Sequence, residues 1–352
     1  MKIVHLTYLL TFGGIETMLV NIANEQVLFG HEVEIIVVEK RVVEPQLRKL
    51  LNPKIRLYQA RRIPNTKDLL SVFRINWFLL KAHPDVIHIH ASGLMRCILM
   101  PWMRKKTCCT LHALPFDKNT VSIKSVPKVF AISEVVHREL IERYGVDSTV
   151  VYNGIHPELI MVRKDKIVHK GLRIVVVSRL EHKKKGQDII IHALYELKRR
   201  GLTDISVDFI GDGESKCFLE KESRDFGVEK QVLFLGSRPQ EYIFEHLADY
   251  DLFVQPSRYD GFALTVAEAM AAKVPVLVAS GQGPEEVIDH GHCGYIFKNG
   301  DVVDCADKIA QLLRNGIDAA TTEKAYERVW KLYNVNVTAK SYLDNYLQRN
   351  NL

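Results

Sequence analysis

The sequence is poor in the features that mark secreted, disulfide-bonded or membrane-spanning proteins. It has six cysteines in 352 residues, and none of them forms a Cys-x-x-Cys pair. Cys108 and Cys109 are adjacent within an apolar run, which is typical of buried thiols rather than of a disulfide framework or a zinc site. No run approaches the roughly 18 apolar residues of a membrane span. The first residues lack an unbroken apolar core and a cleavage site, so we expect a cytoplasmic protein.

Two common phosphate-binding signatures and a convincing metal motif are also missing. The sequence has no G-x-x-x-x-G-K-[ST] loop, and Gly211-Asp-Gly213 lacks the third glycine and the later acid of a dinucleotide fingerprint. P-loop kinases and nicotinamide or flavin enzymes are therefore disfavoured. Asp249-Tyr-Asp251 directly precedes an apolar strand run, and we interpret it as structural. His88 and His90 share one strand face without an evident third ligand, so no metal site is predicted.

Charge is spread unevenly along the chain, whose net charge is +6. Residues 1–150 hold 21 Lys and Arg against 13 Asp and Glu, whereas the remainder holds 27 against 29. The basic first half favours contact with an anionic membrane surface or an anionic acceptor, and scattered solubilising charge is the alternative. We expect a peripheral location at the inner face of the cell membrane. No nucleic-acid partner is expected, because no recognised binding module accompanies the charge.

The order of apolar and helical stretches predicts an α/β fold with two doubly wound, Rossmann-like domains facing across a cleft. The polar, lysine-bearing segment between Ile155 and Gly171 is the predicted linker. The first domain is expected at 1–165 and the second at 166–334, with helix 335–352 packing back on the first. The predicted strands are 2–7, 34–38, 86–90, 107–111, 128–132, 149–152, 173–178, 205–210, 232–235, 251–255, 276–279 and 295–297.

Three loops that follow predicted strands of the second domain carry the candidate chemistry. Arg179 and Lys185 lie in the first loop, Gly211 in the second and Asp260 in the third. Because ligands bind beyond the carboxyl ends of parallel strands, these loops are expected to share one rim. A guanidinium and an ammonium there would stabilise a departing diphosphate. Solvated surface charge is the alternative interpretation.

The segment from Asp260 to Glu268 is the most informative part of the sequence. A helix is predicted to begin after Gly261, and its unpaired N–H groups and positive dipole end favour a phosphate. Glu268 is expected about two turns into that helix, where its carboxylate would accept sugar hydroxyls. The alternative is an ordinary crossover helix whose acids flank a capped start.

The first domain offers two further candidates at strand ends. Gly13 and Gly14 follow the first strand and open a helix, so the backbone there can approach a phosphate or a sugar edge closely. His112 directly follows the strand 107–111 and is expected to face the same cleft between the two domains. An ordinary tight turn and a packed histidine are the respective alternatives.

Together these motifs resemble glycosyltransferase family 4, whose two-Rossmann architecture is called GT-B. The resemblance covers nearly the whole length, and the order and spacing of the motifs carry it. The matching motifs are Gly13-Gly-Ile-Glu16, Gly30-His-Glu-Val33, Pro84-Asp-Val-Ile-His88, Ile132-Ser-Glu134, Asn153-Gly154, Ser178-Arg-Leu180, Lys185-Gly186, Gly211-Asp-Gly213, Pro256-Ser-Arg-Tyr-Asp-Gly-Phe262, Glu268-Ala-Met-Ala271, Pro275-Val276, Glu285-Glu-Val287 and Gly294.

The resemblance implies a role for each candidate residue. Arg179 and Lys185 would bind the donor diphosphate, and Glu268 would bind the ribose hydroxyls. Asp260 matches the first acid of the family's E-x₇-E motif, which contacts the transferred sugar, and His112 matches the histidine near that sugar. Backbone amides would support the sugar and the phosphate at Gly261, Phe262, Ala263 and Leu264. The loop that contains Gly13 and Gly14 would close on the donor.

The implied activity is retaining transfer of a sugar from a UDP-, GDP- or ADP-sugar to a hydroxyl of a glycan or lipid-linked acceptor, with no metal or other cofactor. Two departures from the family pattern stand out: Asp260 replaces the usual glutamate, and His156 replaces the usual aspartate after Asn153-Gly-Ile155. A sugar-nucleotide epimerase or hydrolase of the same fold, or a non-catalytic sugar-nucleotide sensor, is the alternative function.

Overall fold

The chain forms two compact units. The computed structural model describes residues 1–11, 13–40, 43–63, 68–112, 118–163 and 171–349. Unit 1 consists of Met1–Ile155 and Tyr333–Leu352, and unit 2 consists of His156–Leu332. The expected boundary at 165/166 and much of the predicted linker fall on residues 164–170, which lie outside the described residues. No helix of the described ranges is both long and apolar enough to cross a membrane.

Unit 1 is built on a seven-stranded parallel sheet of order β3-β2-β1-β4-β5-β6-β7. Its helices before residue 150 are α1, Gly14–Leu28; α2, Pro45–Leu50; α3, Leu69–Ala82; α4, Pro101–Lys105; and α5, Glu134–Tyr144. The strands are β1, Lys2–Thr7; β2, Glu32–Glu39; β3, Arg56–Arg62; β4, Val86–Ile89; β5, Thr107–Leu111; β6, Lys128–Ala131; and β7, Thr149–Val150.

Unit 2 is built on a six-stranded parallel sheet of order β10-β9-β8-β11-β12-β13. The strands are β8, Leu172–Val177; β9, Ile205–Ile210; β10, Val232–Gly236; β11, Leu252–Gln255; β12, Val276–Ala279; and β13, Tyr295–Phe297. The helices are α6, His182–Lys185; α7, Gln187–Arg199; α8, Lys216–Asp225; α9, Gln240–His246; α10, Leu264–Ala271; α11, Gly283–Val287; α12, Val302–Asn315; and α13, Ala319–Arg328.

The apolar runs account for the central strands. β4 and β11 are buried along their whole length, because helices cover both faces of a doubly wound sheet. Each predicted strand is present, with ends that differ by at most two residues. β3 was missed. Its sequence Arg-Leu-Tyr-Gln-Ala-Arg-Arg is largely polar because it lies at the edge of the sheet, where only part of its surface is covered.

The last helix of the chain, α14 (Val335–Arg349), belongs to unit 1 and packs against α1. Tyr342 and Tyr346 on α14 are buried in a core cluster with Ile3 and Met18. The Tyr346 hydroxyl lies 2.6 Å from His88 Nδ1, and the Tyr342 hydroxyl lies 3.1 Å from Thr110 Oγ1. The helix therefore completes the core of unit 1 with polar contacts as well as apolar ones. Residues 350–352 of the expected helix lie outside the described residues.

We predict that Tyr346→Phe destabilises the protein by about 1–3 kcal/mol, because the buried His88 Nδ1 loses its hydrogen-bond partner. Thermal or urea unfolding would measure the change. Tyr259→Phe is the matched control, since it removes a hydroxyl from a side chain that is 51% exposed. Equal stability of the two variants would contradict the prediction.

Candidate functional site

Three of the predicted site loops meet at one edge of the unit 2 sheet. β9, β8 and β11 are neighbours and run parallel, so their carboxyl ends lie side by side. Gly211 directly follows β9, Arg179 follows β8 by two residues, and Asp260 lies five residues beyond β11. The strand order thus places all three on the same edge, as the sequence pattern requires.

Two glycines allow the backbones of these loops to touch. Gly211 has φ +141°, and a Cβ atom there would lie 2.0 Å from the carbonyl oxygen of Ser178. Gly186 has φ +68°, and its Cβ would lie 2.0 Å from the carbonyl oxygen of Pro256. Both positions combine a left-handed backbone with a contact that excludes any side chain. The loop after β8 is therefore pressed directly against the loops after β9 and β11.

Lys185 and Asp260 form the central ion pair of this edge. Lys185 Nζ lies 2.6 Å from Asp260 Oδ2, and both side chains are largely buried. The same carboxylate oxygen accepts hydrogen bonds from Ser257 Oγ at 3.2 Å and Gln255 Nε2 at 3.3 Å. Sequence reasoning assigned Lys185 to a diphosphate and Asp260 to a sugar, and did not foresee that the two contact each other.

The backbone after Asp260 leads directly into α10. Phe262 N lies 3.5 Å from Asp260 Oδ1, and the peptide of Gly283 donates to the Asp260 carbonyl at 3.0 Å. Ala263 precedes the helix with φ +64°, which is uncommon for a residue with a Cβ. α10 begins at Leu264, so the expectation that Glu268 lies about two turns into the helix was wrong: it lies about one turn in.

Arg179 is held by its backbone and exposed at its side chain. Gln187 Nε2 donates to the Arg179 carbonyl at 2.8 Å and to Ser178 Oγ at 2.9 Å. A second arginine of this edge, Arg258, donates two 2.7 Å hydrogen bonds to the carboxylate of Asp188 on α7. Sequence reasoning did not single out Arg258, because only the folded chain brings it to α7.

Glu268 is a buried acid. Its side chain is 5% exposed, and burial raises its pKa to about 7, while a hydrogen bond with Gln240 acts in the opposite direction. A carboxyl group with such a pKa is partly protonated at neutral pH. It can therefore both accept and donate hydrogen bonds near a ligand's hydroxyl groups.

The three remaining candidate residues lie in unit 1. Gly13, just before α1, has extended backbone, and its Cβ would meet the end of the Glu16 side chain. Gly14 is the first residue of α1. His112 follows β5 and its Nε2 lies 3.0 Å from His90 Nδ1.

Three buried histidines of unit 1 form a cluster: His5, His88 and His90 each offer a ring nitrogen within 4.8 Å of the others. The sequence analysis singled out His88 and His90 but not His5. His5 lies on β1, where the sheet register places it directly beside His88 of β4. Every ring nitrogen of the three is within hydrogen-bond distance of a protein atom. A metal ion would have to displace several of these contacts, so we assign no metal to the cluster.

The other singled-out residues make local contacts. Asp251 accepts a hydrogen bond from the backbone N–H of Arg173 at 2.9 Å and pairs with Arg163 at 3.0 Å. His156 lies 2.8 Å from the carboxylate of Glu158. Both sets of contacts lie within unit 2.

We predict that Glu268→Gln stabilises the protein at pH 8 by about 3 kcal/mol. The carboxyl group ionises near pH 4.5 in the unfolded chain and at about 7 in the folded protein. Wild-type stability therefore falls as pH rises from 4.5 to 7, whereas a neutral amide avoids this loss. Urea unfolding at several pH values would measure the difference, which should vanish near pH 4.5. Glu327→Gln, at an exposed site, is the control, and an equal pH dependence of wild type and Glu268→Gln would refute the prediction.

Comparison with known proteins identifies the family. The model for "Glycosyl transferases group 1" matches residues 160–329, and the model for "Glycosyltransferase Family 4" matches residues 12–159. The chain is 28% identical over 73% of both chains to N-acetyl-alpha-D-glucosaminyl L-malate synthase of Bacillus anthracis. It is 34% identical to GDP-mannose-dependent alpha-(1-6)-phosphatidylinositol monomannoside mannosyltransferase of Mycolicibacterium smegmatis, over 46% of this chain and 43% of that one.

Solved structures share the fold. Anabaena Alr3699/HepE in complex with UDP and glucose superposes with a TM-score of 0.81 at 21% identity, over 98% of this chain and 99% of that one. The lipopolysaccharide outer core galactosyltransferase WaaB superposes with a TM-score of 0.78 at 19% identity, over 99% of both chains. Two Rossmann-like parallel-sheet units, the converging strand-end loops and the two family models lead to one conclusion: the chain belongs to the family 4 (group 1) glycosyltransferases of GT-B fold.

Proposed function

We propose that the protein is a retaining glycosyltransferase that moves a sugar from a nucleotide-diphosphate sugar to a hydroxyl of a glycan or lipid-linked acceptor. The product would belong to a cell-surface polysaccharide or glycolipid. The observation that carries the proposal is the Lys185–Asp260 pair beside the start of α10, on the edge shared by three strand ends. The proposed donor is a UDP-, GDP- or ADP-sugar; the GDP-mannose-dependent relative supports the second of these and the UDP-bound structure the first.

Each candidate residue of unit 2 has a role in this proposal. Arg179 and Lys185 neutralise the donor diphosphate, and the N–H groups from Gly261 to Leu264 add hydrogen bonds at the positive end of α10. Asp260 contacts the transferred sugar. Glu268 binds the ribose hydroxyls, and the backbone at Gly211 supports the nucleotide.

The proposed reaction balances without a further reactant. The bond between the anomeric carbon and the diphosphate oxygen breaks, and the acceptor hydroxyl oxygen bonds to the same carbon on the same face. The departing phosphate oxygen takes the hydroxyl proton, so the products are a glycoside and a nucleoside diphosphate. The protein contributes positioning and charge stabilisation by Arg179 and Lys185, and the proposal includes no metal or other cofactor.

We predict that Lys185→Ala lowers kcat/KM for sugar transfer roughly 10²–10³-fold, because charge builds up on the leaving diphosphate in the transition state. Lys183→Ala is the matched control, since Lys183 is exposed in the same run of lysines. Thermal-shift screening of UDP-, GDP- and ADP-sugars would identify the donor. NMR of the products would then separate transfer from epimerisation or hydrolysis. The proposal fails if no sugar nucleotide binds and Lys185→Ala behaves like the control.

We further propose that unit 1 docks peripherally on an anionic membrane at its cytoplasmic side. One face of α3 carries five apolar side chains that are between 43% and 70% exposed: Leu69, Leu70, Phe73, Trp77 and Leu80. Their spacing places them on one side of the helix, with Arg74 and Lys81 along its border. Lys81 Nζ lies 5.4 Å from the Trp77 ring centroid. Exposed aromatics bordered by cations suit an interface of apolar chains and anionic head groups.

We predict that the double variant Phe73→Ser/Trp77→Ser weakens binding to phosphatidylglycerol vesicles by at least about tenfold, since two aromatic side chains no longer enter the interface. Flotation at low and high salt would measure binding, and salt should weaken the wild-type interaction. Leu233→Ser, which changes a residue of unit 2 that is 53% exposed, is the control. Unchanged flotation of the double variant would rule out this face.

A further inference from the structure

A chain of hydrogen bonds crosses unit 1 and ends at His112. Gln26 Oε1 on α1 lies 2.8 Å from His5 Nε2 on β1. His5 Nδ1 lies 3.0 Å from His90 Nε2, and His90 Nδ1 lies 3.0 Å from His112 Nε2. His5 and His90 each contact one neighbour through Nδ1 and the other through Nε2. The rings of His5, His90 and His112 therefore form a single line that runs from the buried Gln26 amide to the end of β5.

Burial keeps the imidazoles of this chain neutral. It lowers the pKa of His5 to about 4 and that of His112 to about 3. The pKa of His90 is also well below the usual value, first through burial and then through the neighbouring histidines. A neutral imidazole carries one N–H and one lone pair. Each ring can therefore donate in only one direction along the line.

The amide oxygen at the buried end sets that direction. Gln26 Oε1 can only accept, so His5 carries its proton on Nε2 and presents a lone pair at Nδ1. His90 must then donate from Nε2 to His5, which leaves its own Nδ1 as an acceptor. His112 in turn donates from Nε2 to His90. The last free position of the line is the lone pair on His112 Nδ1.

His112 Nδ1 is buried and has no hydrogen-bond partner among the described residues. An orphaned acceptor of this kind costs stability unless a ligand satisfies it. We propose that Gln26, His5 and His90 are positioning residues that hold His112 in its Nε2–H tautomer, so that Nδ1 accepts a hydrogen bond from a hydroxyl of the bound saccharide. The identity of the ligand rests on the proposed function, whereas the tautomer follows from unit 1 alone.

The first test measures the tautomer and needs no substrate. Long-range ¹H–¹⁵N NMR of the whole protein, labelled at histidine nitrogens, distinguishes protonated from unprotonated ring nitrogens. The signals are assigned with single His→Gln variants. We expect His112 protonated only at Nε2 and His5 and His90 likewise. Protonation of His112 at Nδ1, or cationic rings at neutral pH, would overturn the proposal.

A matched pair of variants tests whether the hydrogen bonds of His90 fix the tautomer of His112. His90→Gln supplies an amide that can accept from His112 and donate to His5, whereas His90→Phe retains a planar aromatic ring and removes both hydrogen bonds. We expect the His112 tautomer to persist in His90→Gln and to become mixed in His90→Phe. An unchanged tautomer in a folded His90→Phe would refute the coupling. Should His90→Phe not fold, the wild-type and His90→Gln spectra still decide the tautomer.

Activity measurements with substrate then test whether His112 Nδ1 accepts a hydrogen bond from the saccharide. We expect His90→Phe to lower kcat/KM for sugar transfer about tenfold, the worth of one hydrogen bond, and His90→Gln to restore most of it. Wild-type activity in both variants would contradict the positioning role. If no transfer is found in any variant but the tautomer is as expected, the proposed function fails while the tautomer assignment stands. Added Zn²⁺ should leave the spectra unchanged, and shifts at His5, His88 and His90 together would replace the proposal with a metal site.

Discussion

The contact between Lys185 and Asp260 is the interaction on which the candidate site depends. It joins the short helix after β8 to the loop after β11, two segments that are 75 residues apart in the sequence. Partial burial strengthens the attraction and also makes an unpaired charge costly, so each residue constrains the other. Because Gly186 is the next residue and touches the Pro256 carbonyl, backbone and side chains hold the same junction. These contacts fix the position of the loop that leads into α10, and therefore the position of the start of α10.

The two units handle charge in opposite ways. Unit 2 keeps cations and carboxylates at the end of its sheet, partly open to solvent, where they can respond to an anionic ligand. Unit 1 buries a group of imidazoles that its surroundings hold neutral. A buried charge would be costly there, whereas a neutral ring can be satisfied by one donor and one acceptor. Unit 2 therefore offers electrostatic attraction, and unit 1 offers directional hydrogen bonds.

Periodicity in the sequence was sufficient for the central strands and for the set of loops at one sheet edge, and the resemblance of the motifs was sufficient for the family. It was insufficient for β3, whose polar side chains reflect its edge position, and for the start of α10, where Ala263 takes a left-handed backbone. His5 escaped notice because the register between β1 and β4 places it beside His88, and a register depends on the whole sheet. The pairing of Lys185 with Asp260 was missed for the same reason, since pattern gives strand order but not side-chain distances.

Unit 1 is assembled from two separated parts of the chain, whereas unit 2 comes from one continuous segment. During translation the ribosome makes β1 to β7 before unit 2, and α14 only after unit 2 is complete. Until α14 emerges, Ile3 and Met18 lack the tyrosines that cover them in the finished core. Unit 2 can fold while the nascent unit 1 still exposes apolar surface of the kind that chaperones bind. The topology thus makes the N-terminal unit the last to mature.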